Sequence, residues 1–254
     1  MKKNIEMENL KNVIYKYNMS SRMHSSFMQD EYGNGCKNLD DGHLMFYGEK
    51  IAIGSDIYGN QPLNRAEELE QLVKDILVIC ENMEPSETEM VLHRRGSERA
   101  LSRMIDETGR VCMNRLTSTS KDKDVVTDKF GSVQFEIEIP KGTPILDMKE
   151  FPECYADDTF EKEQEVILPP MIYKDVVNDH QTIKVGNPEL IDIYKHILNL
   201  LHTIKLKNAH KPEYIKSIDS AIMYVKQKSV TKHKGKISPE HKGLKQPPQE
   251  VQKQ

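Results

Sequence analysis

No stretch of this 254-residue sequence approaches the roughly 18 to 20 consecutive apolar residues that a bilayer-spanning helix needs, so no transmembrane span is expected. The N-terminus "MKKNIEMENLKNVIYKYNM" has two lysines but no apolar h-region behind them. That argues against a standard secretory signal and leaves a leaderless or specialised export route open. Cysteine is scarce. Cys36, Cys80, Cys112 and Cys154 stand singly and far apart, without the paired spacing of a zinc site or the density of a disulfide scaffold, so they read as reduced thiols and no metal is expected. Internal repeats are also lacking.

What is present is a polar-surfaced globule, with 37% hydrophobic residues and a mean hydropathy of -0.65. A chain of this length buries one good core plus a small appendage. The formal charge of -4 conceals an asymmetry. From Lys226 onward eight lysines face only Glu240 and Glu250, a tail of +6 on a body of -10. "KHKGKISPEHKGLKQPPQEVQKQ" holds no aromatic, so it reads as a disordered basic tail and not as a nucleic-acid-binding face.

The periodicities divide the chain. A helix is expected from Ile5 to Met19, then a Gly-rich loop "DEYGNGCKNLDDGH". "LNRAEELEQLVKDILVICENM" predicts a helix capped by Asn64, with Leu69, Leu72, Val73, Ile76 and Ile79 on one face and Pro85 beyond its end. A helix-like segment "SERALSRMIDE" and about five or six short strands follow. The clearest strand is "SVQFEIEIP", in which Val133, Phe135, Ile137 and Ile139 alternate with polar residues. Past Gly186 the helical period returns: Leu190, Ile193, Ile197, Leu201 and Ile204 share one face, and Tyr214, Ile218, Ala221, Ile222 and Val225 another, which predicts a helical hairpin. Helices, then sheet, then helices make an α+β chain.

Against that background "FEKEQEV" crowds its acids immediately before the strand-like "ILPP". On an extended strand Glu163 and Glu165 would face one way, their Cβ atoms roughly 6 to 7 Å apart. Two carboxylates so held can divide labour, one stabilising a cationic sugar carbon while the other orients or deprotonates a nucleophile. Taken alone the pair reads equally as a solvated edge strand, Arg94 as a surface ion pair and "TSTS" as an ordinary turn or strand.

In succession, however, "HRRGS" with Arg94, "TSTS" with Ser118, Thr119 and Ser120, and "FEKEQE" with Glu163 and Glu165 resemble the R-S-E class of mono-ADP-ribosyltransferases of the bacterial toxin type. The resemblance runs from about Glu67 to Gly186. It implies a β-sandwich core of two packed, mainly antiparallel sheets around an NAD cleft, with N-terminal helices and a C-terminal helical extension. It further implies that Arg94, with Arg95 and Gly96 beside it, holds the pyrophosphate of NAD. Ser118, Thr119 and Ser120 would bind the nicotinamide side and hold the catalytic glutamate, and Phe130 would pack by nicotinamide. Glu165 would stabilise the ribosyl cation, while Glu163, with Phe160 presenting the substrate, would engage an acceptor arginine, as E-x-E does in the family. "KDKDVVTDK" resembles the mobile phosphate-nicotinamide loop but lacks the second arginine of some relatives, for which Lys121, Lys123 or Lys129 would substitute. His93 stands where many relatives have tyrosine.

The implied organisation is an N-terminal helical and loop region over 1–62, a catalytic core over 63–186, a helical extension over 187–228 and a basic tail over 229–254. The extension is expected to pack on the body, with a partner or a membrane surface as other uses. The implied function is transfer of ADP-ribose from NAD, as co-substrate, to an arginine of a protein, the partner being a host-cell protein reached by a translocated effector. A cytoplasmic protein is the other expectation for location. An NAD glycohydrolase and a noncatalytic NAD-binding adaptor remain the alternatives.

Overall fold

The computed structural model describes residues 6–17, 43–46, 49–52, 65–96, 104–126, 131–155, 164–179, 182–207, 209 and 212–235. Helix α1 (6–17) buries Leu10, Val13, Ile14 and Tyr17, a stripe at i, i+3, i+4 and i+7. Strands β1 (His43–Phe46) and β2 (Glu49–Ala52) pair as a two-stranded antiparallel sheet of their own. Helix α2 (Arg65–Glu81) buries Leu72, Val73, Ile76 and Ile79 as its periodicity predicts; the proposed cap Asn64 lies outside the described residues, as does most of the helix-like "SERALSRMIDE".

The strands that follow are β3 (Glu84–Pro85), β4 (Met90–Gly96), β5 (Val111–Met113), β6 (Thr117–Ser120), β7 (Val133–Ile139), β8 (Pro144–Asp147), β9 (Glu165–Leu168), β10 (Met171–Asp179) and β11 (Thr182–Leu190). They link in the order β3-β8-β9-β6-β4-β7-β11-β10-β5, nine strands among the described residues where the periodicity predicts about five or six. Every pairing is antiparallel except β7 with β11. The joint between β6 and β4 is a single residue pair, Ser120 with His93, whereas β4 and β7 pair along their whole length from Met90–Ile139 to Gly96–Val133. The sheet thus consists of two halves hinged at one pair.

Burial shows how the halves lie. Leu92, Phe135, Ile137, Tyr173, Ile183 and Val185 from one half share a core cluster with Ile145, Val166 and Leu168 from the other. The opposite face of β8 and β9 supplies Leu146 and Ile167 to a second cluster, built with α1, α2, α3 (Ile193–Lys207) and α4 (Pro212–Gly235). Strands β8 and β9 are therefore covered on both sides, which is why "EVIL" is apolar without alternation. Each fully buried Leu, Ile or Val here stabilises the fold by about 1.5 to 3 kcal/mol relative to exposure. The expected α+β architecture, two packed and mainly antiparallel halves with helices, is the one found.

Some boundaries differ from the periodicity. Leu190 is not on a helix: it ends β11, pairs with Met171 and is 51% exposed, because the strand continues past Gly186. Ile193, Ile197, Leu201 and Ile204 do line α3, and Ile218, Ala221, Ile222 and Val225 do line α4; all are buried, so the extension packs on the body. Helix α4 continues to Gly235, so the first part of the expected disordered tail is helical. No helix among the described residues is long and apolar enough to cross a membrane. Cys80, Cys112 and Cys154 form no disulfide among the described residues, and Cys36 lies outside them. Cys154 closes a pair of short 3-10 turns, Met148–Glu150 and Pro152–Cys154, and its Sγ donates to the Lys11 carbonyl of α1 at 3.4 Å; burial pushes this thiol up to about 11.

Candidate active site

Where pairing between β4 and β6 falls to one bridge, the strands diverge and a cavity of about 170 Å³ opens. Its walls are His93, Arg94 and Arg95 of β4, Ser118 to Ser120 of β6, and Val125 with Val126 from the loop after β6. Register explains the grouping. Arg94 sits opposite Phe135, fixed by the long β4–β7 ladder, and Ser120 sits opposite both His93 and Glu165.

The side chains then connect across the joint. Arg94 Nη1 donates to the Ser118 carbonyl at 2.5 Å, and Ser118 Oγ donates to Glu165 Oε1. One residue thus ties the guanidinium to the carboxylate, through its main chain on one side and its hydroxyl on the other. Thr119 is buried and donates to the Val166 carbonyl at 2.6 Å, reinforcing the β6–β9 pairing from its side chain. The Ser120 hydroxyl accepts from Asp122 N at 2.9 Å and donates to Asp122 O at 2.8 Å, shaping the turn that brings Val125 and Val126 to the cavity.

Glu165 is only 8% exposed, and an isolated buried carboxylate would be costly. Ser118 links it to the guanidinium of Arg94, and Tyr17 feels the charges of Glu165, Arg94 and the buried Arg115. Tyr17, 1% exposed at the end of α1, has its ionisation pushed up mainly by burial and next by the charge of Glu165, with Arg94 and Arg115 opposing. The core of the site is therefore a buried carboxylate tied through Ser118 to one guanidinium, with a buried tyrosine near enough to feel the charge of both. Neither Tyr17 nor Arg115 was among the residues expected from the sequence. The available signals were an arginine between apolar residues in "NRLTS" and an aromatic completing the α1 stripe.

Gly96 and Gly131 meet closely at the far end of β4. Gly131 has φ +137, and a Cβ there would lie 2.3 Å from the Gly96 carbonyl carbon and oxygen. Arg95 Nη1 donates to the Gly131 carbonyl at 3.4 Å, so this contact also sets the second arginine of the cavity. Gly131→Ala is expected to cost about 2 to 4 kcal/mol, since it combines a backbone clash with a disfavoured φ. Urea unfolding followed by circular dichroism measures it; a loss below about 0.5 kcal/mol would mean that the two segments separate freely.

Other expectations fare differently. Phe130, Phe160 and Glu163 lie outside the described residues. Gln164 has φ +43, in the left-handed region, so the alternation that would put Glu163 and Glu165 on one strand face starts only at Glu165. Lys121 points away from a phosphate role: its ammonium pairs with Asp147 at 2.5 Å, and Lys123 is not in the cavity wall. Lys129 lies outside the described residues. The second cation of the cavity is Arg95. His93 lines it too, and its Nδ1 is buried without a hydrogen-bond partner among the described residues. Among those residues no cluster of His, Cys, Asp and Glu could hold a metal ion.

No protein-family model matches the sequence, and no curated protein does. Solved structures do resemble the fold. One is the Vis toxin, an ADP-ribosyltransferase from Vibrio splendidus, at 13% identity and TM-score 0.40 over 70% of this chain and 71% of that one. Another is an ADP-ribosyltransferase from Clostridium botulinum, at 12% identity and TM-score 0.36 over 70% and 84%. A third is exoenzyme S from Pseudomonas aeruginosa, solved with human 14-3-3 protein beta and bound to Carba-NAD, at 10% identity and TM-score 0.34 over 70% and 87%. The chemistry of the present chain rests on its own side chains.

Proposed function

We propose that this protein transfers ADP-ribose from NAD to an arginine side chain of another protein and releases nicotinamide. The observation that carries the reading is the bonded series Arg94, Ser118, Glu165, of which Arg94 and Ser118 line a cavity between two sheet halves and Glu165 lies behind the Ser118 hydroxyl. A dinucleotide suits these walls. Two guanidiniums offer forked, charge-assisted donors to a pyrophosphate. Small hydroxyls and two valines border the space for a flat ring, and the bare His93 Nδ1 is available to a polar edge of the ligand.

The reaction breaks the bond between the ribose carbon and the nicotinamide nitrogen, and the bonding pair leaves with nicotinamide, cancelling the charge of its ring. The ribosyl fragment develops oxocarbenium character, which the Glu165 carboxylate stabilises electrostatically. Ser118 is a positioning residue: its hydroxyl holds Glu165, and its carbonyl holds Arg94. The attacking guanidine nitrogen forms the new bond to the ribose carbon and loses a proton, which Glu163 accepts. Substrate presentation by Phe160 and nicotinamide packing by Phe130 belong to the same reading, as does a division into a core over 63–186 and flanking regions. So does action as a translocated effector on a host-cell protein.

The test uses NAD labelled on its adenylate part, incubated with the full chain and cell lysate. Label should pass to a protein other than the enzyme and be released by treatments that cleave arginine-linked ADP-ribose. Glu163→Gln is expected to reduce this transfer at least a hundredfold while nicotinamide release into water falls less than about tenfold, because water needs no base for a guanidinium proton. Equal loss of both activities would remove Glu163 from the acceptor step. Nicotinamide release without labelled protein would indicate a glycohydrolase, and neither activity an adaptor.

A further inference from the structure

A second cavity, of about 240 Å³, lies where the ends of β6, β8 and β9 come level, and it is lined by Lys121, Asp147, Lys149, Pro152, Tyr155 and Gln164. It shares none of these residues with the walls of the Arg94 cavity. It nevertheless adjoins the proposed chemistry, since Gln164 stands between Glu163 and Glu165 and its carbonyl accepts from Lys121 N at 3.2 Å. We infer that this cavity reads the acceptor protein, and that it takes a carboxylate side chain lying close to the arginine to be modified. The inference rests on the arginine-transfer reading above and adds the class of protein substrate.

The charge balance of the lining argues for an anion. One carboxylate, Asp147, serves two ammonium groups. Lys121 holds its Oδ2 at 2.5 Å with a side chain 28% exposed, while Lys149 reaches the same oxygen only at 3.8 Å and its side chain is 73% exposed. The other oxygen, Oδ1, accepts from Lys149 N at 3.2 Å. Asp147 is thus engaged through both oxygens, the described residues of the lining carry one positive charge in excess, and that excess sits on a side chain that is weakly held and open to solvent. An incoming carboxylate gains a charge-assisted contact from Lys149 without breaking the Lys121 pair. Pro152 and Tyr155 give its methylene stem an apolar surface.

The site is also anchored. Met148, Phe151 and Cys154, on the turns that carry Lys149 and Pro152, are buried in the helical core cluster, and Glu153 pairs with Lys11 of α1 at 2.5 Å. Helix α1 also packs with Ile167 of β9 in that cluster, so one helix supports both the strand that begins at Glu165 and the frame of this cavity. An acceptor arginine can then be registered against Glu165 by a neighbouring acid, which is how a rigid second contact raises selectivity at a single reacting atom.

The test measures label transfer by the full chain from NAD to three arginine peptides that differ only in flanking residues, glutamate, glutamine or lysine, with agmatine as a guanidine that has no flanks. The glutamate peptide is expected to exceed the lysine peptide at least tenfold in kcat/KM. Reversing the charge with Lys149→Glu should invert that order when each peptide is normalised to agmatine, and Lys149→Gln should flatten it. Equal use of the three peptides, or a substitution that moves agmatine and all peptides alike, overturns the inference while leaving arginine transfer standing. NAD cleavage without labelling of agmatine overturns arginine transfer itself, and the inference with it.

Discussion

Glu165→Gln is expected to lower nicotinamide release at least a thousandfold, with KM for NAD changed less than about threefold. Glutamine keeps the shape of the side chain and retains an oxygen that accepts from the Ser118 hydroxyl, so the Arg94, Ser118 series survives. What disappears is a full negative charge at a site only 8% exposed, where little water competes with it. Electrostatic stabilisation of developing charge in such a setting accounts for factors of about 10² to 10³ per group in other enzymes, and here the carboxylate is the only anion the reading assigns to the ribosyl cation. A thousandfold corresponds to about 4 kcal/mol of transition-state stabilisation. The charge is needed mainly when the sugar becomes cationic, so the loss falls on kcat. Initial rates of nicotinamide release over a range of NAD concentrations check this, with a circular dichroism spectrum to establish that the variant is folded. A variant keeping more than a tenth of the wild-type kcat would remove Glu165 from the chemistry.

The order of the motifs was readable because each sits on or beside a strand whose pattern is local. "SVQFEIEIP" alternates, and β7 buries Val133, Phe135, Ile137 and Ile139 as expected. Strand β9 follows another rule, since Val166 and Leu168 face one cluster and Ile167 the other. The contents of the site were less legible for the same physical reason throughout: they depend on contacts between distant segments. Tyr17 feels the charge of Glu165 only because α1 packs on the β6–β9 face, and nothing local to the residue announces it. Lys121 looks like a phosphate ligand until Asp147, from β8, takes its ammonium. The backbone at Gln164 turns left-handed just ahead of β9, a conformation that residue spacing does not announce. Leu190 has helical spacing with Ile193 and Ile197 yet belongs to β11, where pairing with β10 outweighs periodicity.

Arg94→Lys, a substitution that preserves charge, is expected to cut kcat/KM for NAD at least a hundredfold, about 2.7 kcal/mol. The reason is geometric. A guanidinium has five donors in a plane, so holding the Ser118 carbonyl at 2.5 Å is compatible with a forked contact to an anion from the same group. An ammonium on a flexible stem presents a single point of charge, and it either reaches the carbonyl or meets the phosphate oxygens. If it favours the phosphate, the Ser118 carbonyl loses its donor, the hydroxyl that holds Glu165 shifts with it, and kcat falls. If it favours the carbonyl, the dinucleotide loses its forked contact and KM rises. The two parameters are therefore expected to worsen together, unlike Glu165→Gln, where the loss is confined to kcat. Steady-state kinetics on both variants separates the roles, and NAD binding by calorimetry to Glu165→Gln, with and without Arg94→Lys, isolates the affinity that the guanidinium supplies. An unchanged dissociation constant in that comparison would show that the dinucleotide is held elsewhere, and Arg94 would then be a structural tie between β4 and β6 alone.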